Sequence, residues 1–143
     1  DLYPEAEIIA CKTFDECFRK AEEDKNFKII IPESNRITGN IGIEYLIFKH
    51  RLNIYAEHFH KIEHNLLGLP GIKLQDIKNV YSHAQALSQC SEFIKKNNIN
   101  ENVRADTAGS AALIAKNKIK NDAAIASKLS AEIYKLETKK NIN

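Results

Sequence analysis

Asn79 to Tyr134 reads NVYSHAQALSQCSEFIKKNNINENVRADTAGSAALIAKNKIKNDAAIASKLSAEIY, and its rhythm decides the fold. Short β-branched or apolar runs at 79–81, 103–105 and 123–126 alternate with segments of helical apolar spacing at 83–96, 107–118 and 127–134. A strand followed by a helix of this length, three times over, predicts a parallel sheet with right-handed crossovers, and hence an α/β fold. Each strand-to-helix junction carries a hydroxyl: Ser82 in Tyr81-Ser82-His83, Thr107 in Ala105-Asp106-Thr107, and Ser127 after Ala126. Helix N-termini present unpaired N–H groups and partial positive charge, and open α/β sheets take ligands at the carboxyl edge of their strands. One such junction is ordinarily just a helix cap. Three in succession point to a site for a small acidic molecule with more than one carboxylate.

Upstream of this block the pattern is less regular. Residues 8–11 and 27–31 are apolar runs that read as strands, the second closed by Pro32. Between them Thr13-x-x-Glu16 forms a capping box ahead of Phe14, Cys17, Phe18 and Ala21 at helical spacing. Residues 33–42 are rich in Ser, Asn, Thr and Gly and predict a loop, 43–48 a helix, and 53–69 a long strand-like region ended by Gly68 and Pro70-Gly71.

Composition excludes several classes. The 143 residues are 43% hydrophobic, enough for one core or two small lobes, and 21 basic against 19 acidic side chains leave a net charge of +2. That balance makes no field suited to nucleic acid or an anionic membrane surface. No apolar run approaches the roughly 20 residues that span a bilayer. The three cysteines, Cys11, Cys17 and Cys90, lack metal-ligand spacing and read as reduced thiols of a cytoplasmic protein. His58-x-His60-x-x-x-His64 resembles a ligand spacing but has no further ligand beside it, so no metal site is expected, and His64 is read as a hydrogen-bonding residue.

The run Tyr81-Ser82-His83-Ala84-Gln85-Ala86-Leu87-Ser88-Gln89-Cys90 is similar to the S-H-P-Q-A-L-x-Q-C motif of prephenate dehydratases. Asp106-Thr107-Ala108-Gly109-Ser110-Ala111 resembles that family's D-T-A-x-A-A, and Ala123-Ala124-Ile125-Ala126-Ser127 its A-A-I-A-S. Glu57-His58-Phe59 and His64-Asn65-Leu66-Leu67-Gly68 look like its G-E-x and H-x-L-L-G elements. The resemblance implies a two-lobed fold like the type 2 periplasmic binding proteins, with one lobe incomplete and the active site in the cleft. It divides the chain into 1–56 with 135–143 as the incomplete first lobe and 57–134 as the second. It also implies conversion of prephenate to phenylpyruvate, water and carbon dioxide on the route to phenylalanine, with no cofactor and a small dicarboxylate as the partner. By the same resemblance Ser82 and Gln89 belong to the catalytic motif, while Asn35, Ser82, Thr107 and Ser127 contact substrate.

The sequence departs from the family in three places. The family's catalytic threonine lies in a T-R-F motif; here Glu137 to Asn143 follow Leu136 without one, and Thr138, between Glu137 and Lys139, does not inherit the role. The family's opening strand and Gly-rich turn, ahead of Tyr3-Pro4, have no counterpart. Its P-x-E-N-S loop stands as Pro32-Glu33-Ser34-Asn35-Arg36, with a hydroxyl in place of the carboxylate and a guanidinium in place of the serine. These departures predict impaired turnover, unpaired strand edges in the first lobe and a homo-oligomer formed through them. A non-catalytic remnant that binds an aromatic or dicarboxylate ligand is the alternative reading.

Overall fold

The computed structural model describes residues 3–35 and 39–142, which fall into two compact units, Asp1–His58 and Phe59–Asn143. Arg36 lies outside the described residues.

The first unit is built on two helices, α1 (Phe14–Glu23) and α2 (Glu44–Lys49), and a two-stranded ribbon of β1 (Ser34–Asn35) and β2 (Gly39–Asn40). The expected capping box forms: the Thr13 hydroxyl accepts from the Glu16 amide at 3.2 Å, and a Glu16 carboxylate oxygen accepts from the Lys12 amide at 2.9 Å. Phe18 and Ala21 are the buried face of α1, and the buried His50 ring lies 5.7 Å from that of Phe18. His50 Nδ1 is 2.7 Å from Glu22 and the Lys49 ammonium 2.6 Å from Asp15, so two contacts tie the end of α2 to α1. The Lys49 ammonium holds the Asp15 carboxyl below the usual carboxylate range.

The strands expected at 8–11 and 27–31 do not form. A strand exists only by pairing, and neither segment meets a partner strand among the described residues. Their side chains are left in water, with Ile8 89% and Ile30 72% exposed. Of the long strand-like region only its end pairs, as β3 (Asn65–Gly68).

The second unit follows the predicted rhythm closely. After β3 come a single 3-10 turn, β4 (Asn79–His83), α3 (Ala84–Gln89), α4 (Ser91–Lys96), β5 (Asn100–Arg104), α5 (Thr107–Asn117), β6 (Asp122–Ala126), α6 (Lys128–Tyr134) and β7 (Glu137–Asn141). The one helix expected over 83–96 is two, parted at Cys90, whose backbone turns to φ −102° and ψ 8°. The sheet runs in the order β5-β4-β6-β3-β7. β5, β4 and β6 are parallel, as the alternation requires, and β3 lies antiparallel between β6 and β7.

That last pairing corrects the expected division of the chain. Residues 137–141, assigned to the first lobe, hydrogen-bond along β3 and belong to the second unit's sheet, from Asn65 opposite Asn141 to Gly68 opposite Glu137. The boundary falls at His58 and Phe59, two residues beyond the expected one.

Two apolar layers cover the sheet. On one face Leu66, Val80, Ala123 and Ile125 pack against Ala86, Leu87, Cys90 and Ile94 of the α3–α4 region. On the other Leu67, Ala124 and Ala126 pack against Ala111 and Ile114 of α5 and Ala131 of α6. Adjacent Leu66 and Leu67 thus feed opposite cores, as the two-residue period of a strand dictates. No described helix is long and apolar enough to cross a membrane.

Leu67→Ala should lower the unfolding free energy by about 2–5 kcal/mol, since the site is fully buried and flanked by small alanines that cannot fill a cavity. Phe48→Ser, at an 84% exposed position, should change it by under about 0.5 kcal/mol. Chemical denaturation followed by circular dichroism separates the two outcomes.

Candidate active site

Because β5, β4 and β6 are neighbouring parallel strands, their carboxyl ends share one edge, and α5, α3 and α6 respectively take up the chain near it. The β4–β5 ladder runs to the last residue of each strand, His83 opposite Arg104. The β4–β6 ladder stops earlier, at Tyr81 opposite Ala124. Beyond that pair the two strands part, and their following helices go to opposite faces: α3 joins the layer with Leu66, and α6 the layer with Leu67. Adjacent strands whose connections leave in opposite directions define the crevice where open α/β sheets hold ligands.

The residues around this crevice take distinct roles. Ser82, read from the sequence as a catalytic and substrate-contacting hydroxyl, is fully buried and donates to the Ile125 carbonyl at 2.7 Å. Its hydroxyl bridges β4 and β6 just where the backbone ladder ends, so it fixes the floor of the opening and does not face into it. Gln89, the second expected catalytic residue, ends α3 with its side-chain oxygen 2.6 Å from Nε2 of the buried His64. His64 immediately precedes β3, whose first residue pairs with Ala126, so this bond ties α3 to the same edge. The hydrogen-bonding role expected of His64 is thereby located.

Thr107 is the half-buried first residue of α5, and the helix is capped by its neighbour. Asp106 accepts from the Gly109 amide with its carboxylate and from the Ser110 hydroxyl, at 2.7 Å, with its carbonyl. A Cβ on Gly109 would come within 2.7 Å of the Asp106 carboxylate, so a larger residue there would push that side chain aside. Ser127 caps α6; its hydroxyl accepts from the Ser130 amide at 3.2 Å and remains exposed. Asn35 sits half-buried on the β1–β2 ribbon of the first unit.

Sequence reasoning passed over one group. Arg104 ends β5 with its guanidinium 5.3 Å above the Tyr81 ring, exposed and in register with His83. Tyr81 is half-buried, and its hydroxyl is pushed above the ordinary phenol range first by burial and then by Asp122. It is a neutral platform that orients the cation. A cation at the strand end, two residues before a helix cap, was the available signal, but a lone arginine among scattered charges does not stand out in a sequence. Among the described residues no group of three His, Cys, Asp or Glu side chains is placed to hold a metal ion.

The model of the prephenate dehydratase family matches residues 2–143. The chain belongs to that family. It is 38% identical over 135 residues to arogenate dehydratase 2 of Petunia hybrida, covering 94% of this chain and 34% of the relative. It is also 38% identical over 138 residues to the chloroplastic arogenate dehydratase/prephenate dehydratase 6 of Arabidopsis thaliana, covering 94% and 33%. The crystal structure of a prephenate dehydratase from Staphylococcus aureus superposes with a TM-score of 0.81 at 26% identity, over 98% of this chain and 52% of that one. The chain therefore spans about a third of these curated dehydratases and about half of the solved one. The fold is the α/β, periplasmic-binding-protein-like fold that the motifs imply.

Ser82→Ala should cost about 1–3 kcal/mol of stability, because it strands the buried Ile125 carbonyl without a donor. Gly109→Ala should displace the Asp106 cap while gaining helix propensity, leaving stability within about 1 kcal/mol of the unsubstituted chain. Arg104→Gln should leave the unfolding midpoint within about 0.5 kcal/mol of the unsubstituted chain. Urea titrations of the three variants measure these differences.

Proposed function

We propose that this chain grips prephenate, or the related arogenate, at the carboxyl edge of β4, β5 and β6, as part of a prephenate dehydratase acting on the route to phenylalanine. The observation that carries the reading is the parting of β4 and β6 beside an exposed, aromatic-backed guanidinium, in a chain matched by the family model from residue 2 to 143. The substrate offers two carboxylates on a cyclohexadiene bearing a hydroxyl. Arg104 supplies a fixed cation, and the capped helix starts add N–H groups and hydroxyls.

In the reaction the ring hydroxyl is protonated as it leaves, and the electron pair of the ring-to-carboxylate bond moves into the ring. Water and carbon dioxide depart, and phenylpyruvate remains. Aromatisation drives the step, so the protein's work is to orient the dianion and to place a proton donor at the leaving oxygen. Thr107 and Ser127 are the hydroxyls proposed to contact substrate, with Ser82 and Gln89 acting as positioning residues behind them. Asn35 enters the proposal only through its match to the family's loop. These 143 residues, about a third of the length of the curated dehydratases, are proposed to bind substrate with impaired turnover.

A homo-oligomer and a cytoplasmic location belong to the same reading. The first is supported by the exposed Ile8, Ile30 and Phe48, the second by three cysteines in thiol form.

Calorimetric titration with prephenate and with arogenate, beside assays of the products (phenylpyruvate from prephenate by absorbance in alkali, phenylalanine from arogenate by amino-acid analysis), tests the proposal. Binding should weaken about ten- to hundredfold in Arg104→Gln and fall as salt is raised, since one charge-assisted contact is worth about 1.5–3 kcal/mol. Binding without product would mark the chain as a non-catalytic remnant. Failure to bind either acid would overturn the assignment of the site.

A further inference from the structure

Asp122 has no part in the dehydratase reading, yet it is a carboxylate only 6% exposed at the start of a strand buried along its whole length. Burying such a group costs stability unless donors surround it. One donor is plain: the Asn79 side-chain amide gives to Asp122 Oδ1 at 2.7 Å. Asn79 is itself steadied from β5, where the Asn100 amide donates to its Oδ1 at 3.4 Å. Asn100, Asn79 and Asp122 are register partners, so a polar row crosses β5, β4 and β6 at one level.

The register sets a second line obliquely across the same three strands. Side chains two apart on a strand share a face, so Tyr81 lies on the Asn79 face, diagonal to Asp122. Directly opposite Tyr81 on β6 is Ala124, whose methyl leaves room for the ring to lean toward the carboxylate. On the other side Arg104 is diagonal to Tyr81, with its guanidinium 5.3 Å above the ring. Asp122, Tyr81 and Arg104 therefore stand in that order from the buried start of β6 to the exposed end of β5. The phenol is the donor that this line brings to the carboxylate. Burial and then Asp122 push that phenol above its ordinary range, which keeps its proton in place.

We infer that Asp122 is a positioning residue for the acid-binding edge: it holds the Tyr81 phenol, and the held ring fixes the Arg104 guanidinium where a substrate carboxylate arrives. Asp122 does not itself reach that edge. It stands level with Asn79 and Arg104 with His83, four residues and about 13 Å apart along β4. A guanidinium freed from its platform has more rotamers to lose when it meets an acid, and binding weakens accordingly. The inference rests on the proposal that Arg104 grips the acid, but the placing of the arginine is measurable without any acid.

Two measurements on the full chain test it. In nuclear magnetic resonance spectra the Arg104 side-chain signals, identified by their loss in Arg104→Gln, should carry an upfield ring-current shift. Asp122→Asn and Tyr81→Phe should each move them toward the positions of a free arginine. In calorimetric titrations with prephenate and arogenate each variant should bind about three- to tenfold more weakly, and the double variant no more weakly than either. In the Arg104→Gln background Asp122→Asn should change nothing further, a pattern that a merely structural loss would not reproduce. Tyr81→Phe keeps the ring of the apolar layer with Ala124, so it carries the test should Asp122→Asn fail to fold. Arginine signals unshifted in the unsubstituted chain, or unmoved in the folded variants, would overturn the inference, as would additive losses in the double variant. If the unsubstituted chain binds neither acid, the reading of the site fails, and the resonance positions still decide the role of Asp122.

Discussion

Everything in the second unit is arranged around β6, a strand buried along its whole length. Its backbone bonds in parallel to β4 on one side as far as Ala124 and antiparallel to β3 on the other, and the Ser82 hydroxyl takes up the Ile125 carbonyl beyond the parallel ladder. After Asp122 its side chains are small: Ala123, Ala124 and Ala126 with a single Ile125. Small residues let α5 and α6 come close on one face and the α3–α4 pair on the other, and the close approach excludes water from both. Where β6 ends, that enclosure ends too, and this is the edge that gathers Ser127, Ser82, His64 and Arg104.

The site is therefore a consequence of how one strand runs out. β4 stays with β5 to the end but leaves β6 early, and Ser82 closes the seam between them. A hydroxyl in a motif invites a chemical reading. Its burial gives it a mechanical one, in which the crevice keeps its width because a side chain replaces the missing backbone bond. Gln89 and His64 do similar work between α3 and β3. The groups that can meet a ligand are the outer ones, Arg104 and the hydroxyls at the helix starts.

The alternation of strands and helices from Asn79 onward was legible in the sequence because each element there carries its own periodicity and finds its partners nearby. The helix ends were less so: α5 and α6 stop at Lys118 and Lys135, both at positive φ, where glycine would have marked the turn. The place of β7 was hidden for a different reason. Nothing in Glu137-Thr138-Lys139-Lys140-Asn141 says which edge it will join, because register is a property of two strands and only one is in view. The first unit shows the converse. Residues 8–11 and 27–31 have the composition of strands and no partner among the described residues, so composition alone does not make them sheet. In the candidate site the junction hydroxyls were visible as motifs, while the burial of Ser82 and the stacking of Arg104 on Tyr81 depend on neighbours far away in the chain.

The outer strands of the five-stranded sheet are both polar. Asn100-Glu101-Asn102-Val103-Arg104 forms one border and Glu137 to Asn141 the other, and most of their side chains face solvent. A strand from another molecule approaching either border would have to strip water from carboxylates, amides and ammonium groups before it could form a single ladder bond. The borders of this sheet consequently repel lateral growth, and the second unit is protected from fibre-like stacking even at high concentration. The greasy segments of the first unit carry no such guard.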